Sequence, residues 1–179
     1  MLRRMVARKE IKLQEFDTAA DWFMLNSTQR IKDIRKYPHE HAAADLFVAF
    51  YPHIQSQGGR WAYEPAVLSD RADRGLMLFD KVFYFEIDRG TEAPREVAAK
   101  LNNYARYAEE RGKQFYVVFS ILGGKKTPQA RGLELLPLLA AQKRASQFLL
   151  ARHESLVSDP LGPVLYSPAN ELYSIKSVT

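Results

Sequence analysis

The stretch FYFEIDRGTE, residues 83–92, decides the fold. Aromatic and β-branched residues alternate with polar ones, which is the period of a strand. Val82, Tyr84, Glu86 and Asp88 fall on one face; Phe83, Phe85 and Ile87 fall on the other. The second face is apolar and needs a core. The first carries two acids, two residues apart, at the end of the strand. Such a pair is costly to bury unless something positive lies between the carboxylates: a metal ion, a basic side chain or a nucleic-acid site.

Working outward, residues 76–79 (LMLF) and 82–88 (VFYFEID) read as two strands joined at Asp80-Lys81, an antiparallel hairpin. Upstream, residues 61–67 form a short strand interrupted by Pro65, which fits an edge position. Residues 68–75 read as a charged loop. Before it, HEHAAADLFVAFY is an amphipathic helix with Ala43, Leu46, Phe47, Phe50 and Ile54 as its stripe; Pro52 kinks or shortens it and Gly58-Gly59 ends it. Downstream, Pro94 opens a long helix that Gly112 stops, with Val97, Leu101, Tyr104 and Ala108 as its buried stripe. QFYVVFSIL, residues 114–122, is a continuous apolar run, the pattern of a strand buried on both faces. A last helix is read over residues 132–152, with Pro137 near its start, and a further short strand at residues 164–166. The succession is α/β.

The chain of 179 residues suits one α/β domain, residues 38–179, behind a basic N-terminal arm and short helical hairpin, residues 1–37. The helices of that arm are read over residues 16–24 and 29–36. With a polar turn between them they resemble a helix-turn-helix, a weak signal because any helical hairpin reads alike. There is no cysteine, which excludes disulfides and thiolate zinc sites. Four histidines leave little room for a histidine metal site. No run approaches the ~18 apolar residues of a membrane span, and no signal peptide is visible, so no membrane partner and a cytoplasmic location are the expectation.

The formal net charge is +5. The basic residues cluster at Arg3, Arg4, Arg8, Lys9 and Lys12, at Arg30, Lys32, Arg35 and Lys36, and at Lys125, Lys126 and Arg131. Any one cluster alone is ordinary solvated surface; a mild basic excess distributed in this way is compatible with nucleic-acid binding. The run Gly123-Gly124-Lys125-Lys126-Thr127 fails the spacing of a phosphate loop and reads as a flexible basic loop.

Metal-dependent phosphodiester cleavage needs converging carboxylates and a nearby base. Glu86 and Asp88 share a strand face. In a hairpin the start of one strand lies beside the end of the next, so Asp73 can reach them, with Asp70 as fallback. Lys100, with Tyr104 one turn later, lies on the helix that crosses the sheet. Each residue alone has a plain reading as a loop or ion-paired group; together at these spacings they make a site.

The succession αβββαβ, with an Asp opening one strand and an acidic set on the next, resembles the PD-(D/E)xK nuclease-like fold, a central mixed sheet flanked by helices. More closely, Glu86-Ile87-Asp88-Arg89-Gly90-Thr91-Glu92 followed by Lys100, Leu101 and Tyr104 resembles the replication-relaxation family of bacterial plasmids and mobile elements. Ala72-Asp73-Arg74 and the helix from His41 match its upstream elements, and the likeness covers about residues 38–125. In that fold a Lys usually stands two residues after the Glu; here Asp88 does, and Lys100 would have to substitute. The family also often carries an N-terminal winged helix, and only about 37 residues precede Pro38.

The resemblance implies a DNA-binding protein of plasmid or mobile-element replication, mobilisation or regulation with a nuclease-like fold, and Asp88 in place of Lys points to that fold without cleavage. One alternative is a Mg²⁺- or Mn²⁺-dependent DNA endonuclease or nickase. There Asp73, Glu86 and Asp88 would hold the metal, and Lys100 would complete the catalytic set. Another is a protein–protein module in a replication or transfer complex. DNA would be held by Arg3, Arg4, Arg30, Arg35, Lys36, Arg89, Lys125 and Lys126. The sequence leaves the oligomeric state open.

Overall fold

In the computed structural model, residues 38–112 and 114–178 are described, together with the backbone of 11–14, 22–25 and 37. The chain divides into two units, Met1–Ala44 and Asp45–Thr179. In the first, β1 (Ile11–Gln14) pairs antiparallel with β2 (Trp22–Leu25), Ile11 opposite Leu25. The helix read over residues 16–24 therefore gives way to a strand at 22–25. WFML is a short apolar run of the kind whose periodicity does not distinguish helix from strand. The helix read over 29–36 lies outside the described residues, as do Arg3, Arg4, Arg30, Arg35 and Lys36.

The hairpin forms around residue 80. β6 (Arg74–Leu78) and β7 (Lys81–Asp88) are antiparallel, with Leu78 opposite Lys81. The two turn residues are Phe79 and Asp80, one position earlier than the sequence reading. Both have positive φ, 53° and 58°. Positive φ at both central positions matches the right-handed twist of the strands, and it outweighs the poor fit of a Phe there.

From α1 (Tyr37–Gln57) onward the expected αβββαβ succession holds. It runs α1, β3 (Arg60–Tyr63), β6, β7, α2 (Pro94–Arg111) and β8 (Tyr116–Ile121). The strand read over 61–67 breaks into β3 and a short β4 (Ala66–Val67), which pairs with β5 (Asp70–Arg71) in the stretch read as a loop. Pro52 sits inside α1, which continues to Gln57. Seven of the described strands form one mixed sheet. Its order is β11 (Leu172–Tyr173), β10 (Leu165–Tyr166), β9 (Phe148–Arg152), β8, β7, β6, β3. β7, β8 and β9 are parallel.

β9 corrects the single helix read over 132–152. Helix α3 spans Pro128–Ala140, with Pro137 well inside it. A 3₁₀ turn at Ala145–Gln147 follows, then β9, then α4 (His153–Ser158). Phe148 and Leu149 therefore supply a strand. Their Leu-rich surroundings have good helix propensity, but burial on both faces of a parallel sheet decides the local structure.

The helices cover two faces. On one, α2 and α3 pack Val97, Leu101, Tyr104, Leu135 and Leu139 onto Tyr84, Phe119 and Leu150. On the other, Phe85 meets Phe50 of α1 and stacks on Trp61 of β3. Each fully buried Phe or Leu contributes roughly 1.5–3 kcal/mol, which makes the two faces the main source of stability. Both faces of β7 are covered, so Glu86 and Asp88 lie in the protein interior.

Candidate functional site

Glu86 sits on the α2 side of β7 and is 3% exposed. Asp73 immediately precedes β6, and the Arg74–Phe85 register sets it opposite Glu86. Its Oδ2 accepts a hydrogen bond from the Ile87 N–H at 2.7 Å, so the carboxylate is hooked onto the backbone of β7. From α2, Lys100 Nζ donates to Glu86 Oε2 at 2.9 Å and to Glu92 Oε1 at 2.7 Å. One turn on, the Tyr104 hydroxyl donates to Glu86 Oε1 at 2.6 Å. The i, i+4 spacing of Lys100 and Tyr104 aims both at one carboxyl group.

Burial pushes the Glu86 carboxyl up to about 7, and the charge of Asp73 adds to this; Lys100 and Tyr104 offset it only in part. Burial disfavours the Lys100 ammonium, but the charge of Glu86, with Glu92, more than compensates and raises its pKa above the usual lysine value. Burial, then the Glu86 charge, pushes Tyr104 well up, so its hydroxyl stays protonated as a donor.

Asp88 belongs to a different set. Its Oδ2 accepts from Arg131 Nε at 2.9 Å and its Oδ1 from the Gly90 N–H. Arg131, 2% exposed, also donates to the Glu92 carbonyl at 3.1 Å and to Glu134 Oε2 at 3.3 Å. Burial opposes its charge, but the hydrogen bond and charge of Asp88, together with Glu134, raise its pKa above the usual value. Gly90 makes the turn after β7 with φ +67°, a conformation that favours glycine.

The structure thus sets Asp73 opposite Glu86, as the hairpin reasoning expected, and brings Lys100 to Glu86 from the helix that crosses the sheet. It sets Asp88 apart, against Arg131. Asp70 is exposed in β5 and accepts from the Arg71 N–H at 2.8 Å. Arg89 is half-buried beyond β7; Lys125 and Lys126 are exposed, Lys126 beside Glu134. Sequence reasoning missed Glu92 as the second anchor of Lys100. It also took Arg131 for a surface charge. The signal for Arg131 was present: it lies four and eight residues before Leu135 and Leu139, on the buried stripe of α3.

These contacts test the fit of a metal. Both oxygens of Glu86 are engaged, and Asp88 is closed by a guanidinium. Among the described residues, no group of three or more His, Asp or Glu side chains is disposed to hold an ion. The arrangement does not fit a centre made of Asp73, Glu86 and Asp88.

A family model described as replication-relaxation matches residues 23–119, more than half of the chain. The chain belongs to the replication-relaxation family. No curated protein and no solved structure matches it. Membership ties the chain to the theme of replication. The family's span holds Asp73, Glu86, Asp88 and Lys100 but stops before Arg131. The group that closes Asp88 therefore comes from outside the matched region. Among the described residues, no helix is long and apolar enough to cross a membrane.

Proposed function

We propose that the protein is a DNA-binding member of its family, acting in replication or mobilisation of a plasmid or mobile element, with a PD-(D/E)xK-like core that does not cleave. One observation carries the reading: the carboxylate oxygens of the strand acids are engaged from within the chain. Tyr104 and Lys100 take the two oxygens of Glu86, and Arg131 takes Asp88. The cluster then fixes α2 and α3 to the sheet, and basic surface groups engage the phosphates.

A second reading, a Mg²⁺- or Mn²⁺-dependent endonuclease or nickase, has one observation in its favour. Asp73 faces Glu86 and raises its pKa, a strained acid pair that a cation would relieve. Incubating supercoiled plasmid with the full chain and Mn²⁺ separates the two. No nicking, with retardation of the plasmid that fades as salt rises, is the expected result. Nicking that Glu86→Ala abolishes would establish the enzyme instead.

A further inference from the structure

The three parallel strands end on one edge. Asp88, Ile121 and Arg152 stand in register across β7, β8 and β9, and the Leu122 N–H donates to the Asp88 carbonyl at 2.9 Å. Each strand turns there into a helix, so residues 89–93, 122–127 and 152–153 form one rim. The first two junctions touch: a Cβ on Gly124 would stand 2.6 Å from the Arg89 carbonyl oxygen, so the basic loop lies directly on the Arg89 backbone.

This rim gathers charges that are scattered in the sequence. Arg95 (first turn of α2), Lys125 and Arg152 are exposed, and Arg89 is half-buried beside them. The neighbouring acids are largely engaged within the chain. Glu92 pairs with Lys100, Glu96 accepts from the Ala93 N–H, and Glu134 pairs with Lys126 and Arg131. Opposing charges remain at Glu154, two residues after Arg152, at Glu96, and at Asp45, whose Oδ2 lies 3.9 Å from His153 Nε2. The N-termini of α2 and α3 add positive potential on the same side. Residues 88–95, 121–128 and 152–154 contain no Phe, Tyr or Trp. A rim without rings offers no platform for stacking unpaired bases and suits the backbone of a duplex.

We propose that this carboxyl edge, through Arg89, Arg95, Lys125 and Arg152, is the surface that grips the phosphate backbone of double-stranded DNA. The inference rests on the DNA-binding reading above and names its surface. The test is fluorescence anisotropy of the full chain with a labelled random-sequence 24-mer, as duplex and as single strand, over a salt series. Arg95→Ala/Lys125→Ala/Arg152→Ala removes three rim charges. Arg60→Ala/Arg111→Ala/Lys176→Ala removes three exposed charges from the opposite edge. The rim variant should bind the duplex at least ~10-fold more weakly, with a salt slope shallower by about one per charge removed, while the control stays within ~3-fold of wild type. Circular dichroism checks that both fold. Equal losses in the two variants would overturn the rim, as would an undiminished rim variant beside an Arg3/Arg4/Arg30/Arg35 variant that fails; DNA binding itself would survive either result. Tighter binding of the single strand would overturn the duplex assignment. No binding by wild type at low salt would overturn the DNA-binding reading and the rim with it.

Discussion

Glu86 and Asp88 are two carboxylates on one face of one strand, two residues apart, yet the middle of β7 and its end solve burial differently. In the middle, Glu86 shares its surroundings with another acid, Asp73, and leans on Lys100, which also serves Glu92. At the end, Asp88 meets a guanidinium in the interior and a backbone N–H at its other oxygen. The difference lies in the partner. Arg131 spreads its planar donors over Asp88, Glu92 and Glu134, whereas Lys100 offers a point charge between two acids. One arrangement is locked and the other is left responsive to protons.

The comparison breaks most visibly at Arg131. Arg131→Met keeps much of the volume but strands a buried carboxylate. Denaturation should show a loss of ~3–5 kcal/mol, with Asp88→Asn in the same chain restoring a good part. A loss below ~1 kcal/mol would mean that the end of β7 is not locked by this pair.

A smaller effect, with a pH signature, is expected at Lys100. The folded-state pKa of Glu86, about 7, lies above its ordinary 4.5. The folded protein therefore holds a proton that the unfolded chain releases between these values. This contribution is fully present below about pH 4.5 and is lost as pH rises through about 7. Lys100→Met removes the cation that offsets it, so the variant should lose about 2 kcal/mol at pH 8 and clearly less at pH 5.5. Melting curves at the two pH values check this. A loss independent of pH would show Glu86 to be ionised throughout.

The smallest effect sharpens the contrast. Tyr104→Phe removes the hydroxyl from Glu86 Oε1 and should cost ~1 kcal/mol by denaturation, because Lys100 remains. A cost as large as that of Arg131→Met would make the middle of β7 as rigid as its end.

Much of this was legible in the sequence. The stripe Val97, Leu101, Tyr104, Ala108 and the stop at Gly112 follow from helical periodicity. The meeting of Asp73 with Glu86 followed from hairpin geometry, because the two strands are adjacent in sequence. Arg131 was harder to read, since its bond to Asp88 spans 43 residues and depends on how α3 crosses the sheet. β9 was hidden for a related reason: FLLAR carries no turn signal at its start, and its pairing with β8 is a tertiary fact.

One feature of the opposite edge bears on how the molecule comes apart. Lys81 Nζ, at the start of β7, donates at 2.6 Å to the carbonyls of both Lys176 and Val178, which lie 95 and 97 residues away in the chain. Ile175 and Val178 are buried beside them. Joining residues so far apart in the chain carries a loop-closure cost, so these contacts are expected to form after the local hairpins and helices. The segment after β11 therefore acts as a latch on the finished sheet. Lys81→Met, which removes this contact, should therefore speed unfolding more than it slows folding, as the two arms of a chevron plot would show.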